Sequence, residues 1–148
     1  MIDRPGCQRE TGSAFVLNAT IETFRLTNLG AEPILTEAPS ASGEGQRFGR
    51  CPKCYIAVWS LYGGGLEMPI RTVRVGTLDN PSVCPPQCHI YTSTKLKWLK
   101  LNDGLPQHEE QYDREKYWTK ENLERIAKVQ EEIRRLLKEG KDVDHKIE

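Results

Sequence analysis

Short runs of apolar and β-branched residues, separated by turn residues, fill the first two thirds of the chain. Residues 70–75 alternate cleanly between apolar and polar side chains, and residues 55–62 form the strongest strand signal, which three glycines bring to an end. Gly, Pro, Asn and Asp punctuate the other runs. Several short strands at regular spacing predict an antiparallel β domain. We place its strands at 14–17, 21–26, 55–62, 70–75, 89–93 and 96–101.

The apolar spacing becomes helical after residue 119. Thr119 can cap a helix whose first turns carry Glu121 and Glu124, and Gly140 is a natural stop. The apolar residues that recur between them at helical spacing are Leu123, Ile126, Val129, Ile133, Leu136 and Leu137. Packing against the sheet is the plainest interpretation of this stripe, and a partner-binding face is the alternative. We therefore expect a helix over residues 119–140 and a charged tail at 141–148.

Composition narrows the range of partners. A chain of 148 residues can bury one modest core, which suits a single mainly-β domain with a C-terminal α-helix. Lys plus Arg and Asp plus Glu number 21 each, so no net charge attracts nucleic acid or an anionic membrane. No run approaches the roughly 18 apolar residues of a membrane span, and the N-terminus lacks the apolar segment of a secretory signal. We expect a protein of the cytoplasm, with the nucleus as an additional compartment, that binds neither nucleic acid nor membrane.

The cysteines indicate metal chemistry. Cys51 and Cys54 stand in a CPKC sequence, a spacing that lets two thiolates share one zinc ion. A structural zinc site needs four ligands, and no second pair of this type is visible. Cys84, Cys88 and His89 could donate replacement ligands, and loop thiols without a metal are the alternative. Five cysteines, an odd number without a signal peptide, favour a reducing compartment over a disulfide framework.

Four segments in order resemble the family of glutathione-dependent formaldehyde-activating enzymes and centromere protein V. They are residues 7–15 (CQRETGSAF), residues 50–60 with the CPKC pair, residues 76–81 (GTLDNP) and residues 89–98. The resemblance covers about residues 7–118. It implies the Mss4-like β-tent, a mainly-β fold of antiparallel strands supported by zinc. It also implies a zinc domain over residues 1–118 that is incomplete at its N-terminus.

The resemblance implies two metal sites. Cys51 and Cys54 match the later pair of a four-cysteine structural zinc, whose earlier pair is expected upstream of residue 1. Cys7 matches the last cysteine of a CxCxxC stretch that binds the catalytic zinc, and Ile2 and Arg4 occupy its other two positions. The expected metal ligands are therefore Cys7, Cys51 and Cys54, with Cys7 also the catalytic residue. The residues that match the polar edge of the substrate pocket are Gln8, Arg9, Thr11 and Ser13.

The function that the resemblance implies is that of a zinc-dependent carbon–sulfur lyase acting on small thiol adducts such as S-hydroxymethylglutathione. Zinc suits this chemistry because it stabilises a thiolate at neutral pH without redox side reactions. The alternative is a non-catalytic interaction module, stabilised by zinc, that has lost the catalytic metal site. With the CPKC pair alone in ligand spacing, we expect at most one zinc ion per chain.

Overall fold

The computed structural model describes residues 5–40, 43, 45–62 and 69–140. The chain divides into two compact units, which are described separately. The sheet unit comprises Thr20–Val73 and Arg114–Glu148, and the loop unit comprises Met1–Ala19 and Arg74–Asp113.

In the described part of the chain, five strands form one sheet in the order β1-β5-β4-β3-β2. β3 pairs antiparallel with β2 on one side and with β4 on the other, and β4 pairs antiparallel with β5. The strands are β1 Asn18–Glu22, β2 Ile34–Ala38, β3 Gln46–Arg50, β4 Ala57–Tyr62 and β5 Ile70–Arg74. Together with the C-terminal helix described below, this antiparallel sheet confirms the predicted fold class and is consistent with a β-tent.

The two clearest strand predictions are confirmed, since β4 and β5 lie within residues 55–62 and 70–75. The predicted strands at 14–17 and 21–26 are displaced: the observed β1 begins after the first and shares only residues 21 and 22 with the second, and a 3₁₀ turn occupies Thr23–Arg25. Thr23 initiates that turn: its N–H donates to the carbonyl of Pro69, and Leu26 N–H donates back to the Thr23 carbonyl. β2 and β3 were missed.

The predicted strands at 89–93 and 96–101 are wrong. Within the loop unit, His89 forms an isolated bridge with Gln107, and Thr92–Thr94 is a 3₁₀ turn that follows a left-handed Tyr91 (φ 58°). Local hydrogen bonds compete with strand pairing here, because the hydroxyl of Thr92 donates to the carbonyl of His108 at 3.0 Å. In this part of the chain, β-branched residues that are typical of strands therefore lie in a hydrogen-bonded turn.

The described residues contain three α-helices: α1 Pro5–Thr11, α2 Arg114–Tyr117 and α3 Lys120–Lys138. The prediction of α3 is confirmed, with Thr119 as its N-cap: the Thr119 hydroxyl accepts a hydrogen bond from Asn122 N–H at 3.2 Å. Ile126 and Ile133 of α3 are buried, as the apolar stripe requires. No described helix is long and apolar enough to cross a membrane. The predicted tail at 141–148 lies outside the described residues.

A buried ion pair links α3 to the end of β1. The Arg125 guanidinium lies 2.7 and 2.8 Å from Oε1 of Glu22, whose side chain is 8% exposed. Burial opposes ionisation of Glu22, but its own backbone N–H, Arg125 and Arg25 together hold the pKa of Glu22 below its ordinary value. Arg125 also contacts Glu121 within the helix, at 2.8 Å. The helix is therefore linked to the end of β1 by an ion pair, in addition to burying two residues of its apolar stripe.

Candidate functional site

The CPKC segment forms a tight knuckle between β3 and β4. Cys51 N–H donates to the Ile56 carbonyl at 2.9 Å, and Tyr55 N–H donates to the Cys51 carbonyl at 2.8 Å. Tyr55 closes the turn in the left-handed region (φ 63°), and Arg50 Nη1 donates to the Tyr55 carbonyl at 3.3 Å. The hairpin thus holds both cysteines in one short, hydrogen-bonded loop.

The knuckle favours a thiolate at Cys51. The backbone N–H groups of Cys54 and Lys53 and the thiol of Cys54 donate to the Cys51 sulfur, and they lower the pKa of the Cys51 thiol. A lowered thiol pKa and two sulfurs on one turn are what a zinc knuckle requires. These residues therefore fit two of the four positions of a tetrahedral zinc site.

The described residues do not supply the other two positions. No group of three or more His, Cys, Asp or Glu side chains in the described part of the chain could hold a metal ion. Among the described residues, Cys51 and Cys54 thus provide two of the four ligands that a structural zinc site needs. No catalytic zinc fits around Cys7 among these residues.

The residues that match the substrate edge lie on or directly after α1, in the loop unit. Cys7 is 4% exposed. Thr11 donates its hydroxyl hydrogen to the Cys7 carbonyl at 2.8 Å, and the Gln8 side-chain amide donates to the Thr94 carbonyl at 3.4 Å. Arg9 and Ser13 are exposed. The structure therefore brings Cys7, Gln8 and Thr11 together on one short helix, whereas Ile2 and Arg4 lie outside the described residues.

His89 has a structural partner that the sequence did not reveal. Its Nε2 lies 2.8 and 3.0 Å from the two carboxylate oxygens of Asp103, and the His89 side chain is fully buried. Because an ionised carboxylate can only accept hydrogen bonds, Nε2 carries the proton. Burial disfavours ionisation of Asp103, but Leu105 N–H and His89 bond to the carboxylate and lower its pKa. In this geometry His89 is a hydrogen-bonded structural residue; Cys88 beside it is buried, and Cys84 is half-buried.

A cavity of about 460 Å³ lies on one face of the sheet unit. We call it the face cavity. Its sheet wall consists of Leu35, Arg47, Val58, Trp59, Leu61 and Arg71, its cover is formed by residues of the 26–33 segment, and Cys51 with Pro52 lines it as well. The antiparallel register explains the wall, since Arg47 pairs with Leu61 and Gly49 lies between Leu35 and Trp59.

Trp59 is held in place from two sides. The Arg71 guanidinium lies 4.0 Å from the centroid of the indole ring. Across the strand pair, Gly49 leaves room for the ring, because a Cβ atom at that position would overlap the indole. Trp59 and Arg71 are only 7% and 8% exposed. No sequence motif indicated Arg47 or Arg71. The face of the sheet on which an arginine lies depends on strand register, and the distance to a motif does not reveal it.

Comparison with known proteins identifies one matching protein family. The family model described as glutathione-dependent formaldehyde-activating enzyme matches residues 5–94. No curated protein matches the chain. The matched range contains α1 with Cys7, the CPKC knuckle and the whole five-stranded sheet.

Proposed function

Because the chain belongs to the family of glutathione-dependent formaldehyde-activating enzymes, we propose that it is a zinc-associated protein that binds small thiol–aldehyde adducts of the S-hydroxymethylglutathione type. The observation that carries the proposal is the hydrogen-bonded CPKC knuckle, in which Cys51 N–H donates to the Ile56 carbonyl and Tyr55 N–H donates to the Cys51 carbonyl, so that Cys51 and Cys54 lie on one short turn. Zinc bound there would tie β3 to β4 and so contribute to folding. We propose the cytoplasm as its compartment, since free thiols require reducing conditions.

Native mass spectrometry of the purified protein tests the metal. We expect at most one zinc ion per chain, and we expect a Cys51→Ser/Cys54→Ser double variant to lose it. Cys84→Ser is the matched control, because it removes a half-buried cysteine outside the knuckle. Two zinc ions per chain, or full retention of zinc by the double variant, would contradict the proposal.

The adduct is proposed to bind along α1. Arg9 and Ser13 are exposed and offer a guanidinium and a hydroxyl to the carboxylate and amide groups of a glutathione-type ligand. Gln8 and Thr11 donate hydrogen bonds to the carbonyls of Thr94 and Cys7, and these bonds stabilise the helix that carries Arg9. The reaction of this ligand class is the reversible cleavage of the carbon–sulfur bond: the hydroxymethyl group loses its hydroxyl proton, formaldehyde leaves and the thiolate is released.

A carbon–sulfur lyase is the second candidate function, and family membership favours it. Against turnover by the 148-residue chain stands the donor set around Cys7, which lacks two further ligands among the described residues. We therefore expect adduct binding without measurable acceleration of exchange between glutathione and formaldehyde.

Exchange spectroscopy by NMR, with and without the protein, separates the two functions. Cysteines introduced at Ile2 and Arg4 should recover zinc near Cys7 and raise the exchange rate. Catalysis by the unmodified chain that Cys7→Ser abolishes would establish the lyase and contradict the expectation of binding alone.

A further inference from the structure

We propose that the face cavity is a binding site for a small, flat monocarboxylate with an aromatic body. Its lining belongs entirely to the sheet unit and contains none of Cys7, Gln8, Arg9, Thr11 and Ser13. Cys51 and Pro52 of the knuckle line the cavity, but no residue of the proposed adduct site does. The proposal therefore goes beyond the proposed function, and carboxylate binding in the cavity and adduct binding along α1 can each fail without the other.

The size and the apolar wall of the cavity suit such a ligand. A volume of about 460 Å³ lies within the range of roughly 300–1,000 Å³ that small-molecule pockets occupy. Leu26, Pro33, Leu35, Val58 and Leu61 contribute apolar surface from both the cover and the sheet wall. A ring of one or two fused six-membered units would contact both surfaces and remove them from water.

The charges in the lining select an anion. Arg47 and Arg71 contribute two guanidinium groups, whereas Glu32 is the one acidic residue among the lining residues, and it is exposed. A guanidinium binds a carboxylate through two parallel N–H bonds, a geometry that a lysine cannot provide. The excess of positive charge beside an apolar wall thus favours a molecule that combines a carboxylate with an apolar body.

Trp59 and Arg71 form a rigid platform for that molecule. The guanidinium is stacked 4.0 Å from the centroid of the indole, and both side chains are more than nine-tenths buried. A stacked guanidinium keeps its N–H groups in its own plane, so that stacking and hydrogen bonding to a carboxylate are compatible. Because Gly49 gives the indole its place against β3, the platform is ordered before a ligand arrives, which lowers the entropic cost of binding.

Arg47 supplies a second guanidinium, whose ion pair with Glu37 a ligand carboxylate can replace. It faces Glu37 across the β2–β3 pair, and the shortest distance between their charged atoms is 3.5 Å. The Glu37 side chain is 76% exposed and that of Arg47 is 32% exposed, so water weakens the ion pair. A ligand carboxylate that enters the cavity can therefore compete with Glu37 for Arg47.

The test is a titration of the 148-residue protein with 2-naphthoate, followed through the backbone amide resonances. We expect saturable shifts at Leu35, Trp59 and Arg71, with a Kd below about 1 mM. The neutral analogue 2-naphthalenemethanol has the same rings without the charge, and it should bind at least about tenfold more weakly, as expected for loss of a charge-assisted hydrogen bond.

Three variants locate the charge. Arg47→Gln should weaken naphthoate binding about tenfold, and Glu37→Gln should strengthen it about twofold by removing the competing carboxylate. Arg134→Gln, which removes the same charge from an exposed position of α3, should leave the Kd unchanged. Melting curves of all variants verify that each one folds.

Three outcomes overturn the proposal. The first is the absence of saturable shifts at the cavity residues. The second is equal affinity for the neutral analogue, which would indicate apolar binding alone. The third is an equal Kd for folded Arg47→Gln and Arg134→Gln, which would show that Arg47 makes no specific contact with the carboxylate.

Discussion

The sheet unit and the loop unit are ordered by different interactions. In the sheet unit, antiparallel register sets the face on which each side chain lies, and it places Arg47, Trp59 and Arg71 along one cavity wall. In the loop unit, 3₁₀ turns and hydrogen bonds from side chains to backbone hold the chain, and the buried His89 is bonded to Asp103. The cavity face of the first unit depends on the shapes of neighbouring side chains, and a buried ion pair between Glu22 and Arg125 supports that unit elsewhere. The second unit depends on individual polar contacts.

This difference predicts how each unit responds to substitution. A change of shape in the sheet unit affects a packed neighbour across a strand pair, so its cost is large. The removal of a single charge in the loop unit affects one bond that water can partly replace, so its cost is small and depends on pH.

Gly49→Ala should have the largest effect. The added Cβ atom would overlap the indole of Trp59, which is clamped between β3 and Arg71. We expect the free energy of unfolding to fall by about 3 kcal/mol. Urea denaturation of both proteins measures it. Gly30→Ala is the matched control, because a Cβ atom there meets no atom within 4 Å, and its effect should stay within about 0.5 kcal/mol.

A double-mutant cycle isolates the steric cause. In a Trp59→Leu background the alanine at position 49 no longer meets an indole, so Gly49→Ala should cost much less than in the natural sequence. An equal cost in both backgrounds would show that the contact between Gly49 and Trp59 does not limit the packing of this face.

Arg125→Met should have the next largest effect. It removes the closer of two arginines beside Glu22, whose carboxylate is nearly buried, and leaves the 3.5 Å ion pair with the exposed Arg25. We expect a loss of about 2 kcal/mol in the free energy of unfolding, because a buried charge that loses its closer partner is costly, while Arg25 and water offset part of that cost. Glu121→Gln serves as the control. It removes the exposed partner of Arg125, so a loss as large as that of Arg125→Met would contradict this account.

The regular parts of the fold could be predicted from the sequence, because their periodicity is recorded in the order of the residues. This holds for β4, β5 and α3. β3 was missed because Gly49 and the flanking arginines are poor strand signals, and pairing on both sides stabilises it nonetheless. The segment around Thr92 was overpredicted, because its β-branched residue bonds to backbone in a turn.

Thr119→Ala should have a moderate effect, and it tests a local signal that the sequence did reveal. The Thr119 hydroxyl accepts the Asn122 N–H at the start of α3. Loss of this cap should reduce the free energy of unfolding by about 1 kcal/mol. Thr119→Ser keeps a capping hydroxyl and should retain most of the stability. If both variants lose the same amount, the cap is not what stabilises this end of the helix.

The candidate site could be predicted only in part, for a physical reason. The spacing of Cys51 and Cys54 is a local property, so a sequence motif identifies the knuckle. The alignment of Arg47 and Arg71 beside Trp59 depends on strand register. The bond between His89 and Asp103 joins residues 14 apart through a loop without periodicity. Contacts of these two kinds leave no pattern in a single sequence.

Asp103→Asn should have the smallest effect, and that effect should depend on pH. Asparagine keeps an oxygen that can accept the His89 Nε2–H, so the substitution removes mainly the charge. The Leu105 N–H and His89 lower the pKa of Asp103 in the folded chain below its ordinary value of 3.8, although burial opposes this. A carboxyl whose pKa is lowered on folding stabilises the folded state above its unfolded pKa, and this contribution disappears as the pH falls through the lower folded value.

Urea denaturation at a series of pH values therefore distinguishes the two chains. We expect Asp103→Asn to be slightly less stable than the natural chain at pH 7, with the difference disappearing as the pH falls below about 3.8. Asp79→Asn is the control, because it removes an exposed carboxylate from the same unit. Its stability should not show this pH-dependent difference from the natural chain. A stability difference between Asp103→Asn and the natural chain that stays constant from neutral to acid pH would assign the effect to shape. The contribution of Asp103 would then depend on its shape, as at the cavity positions of the sheet unit, and not on its charge.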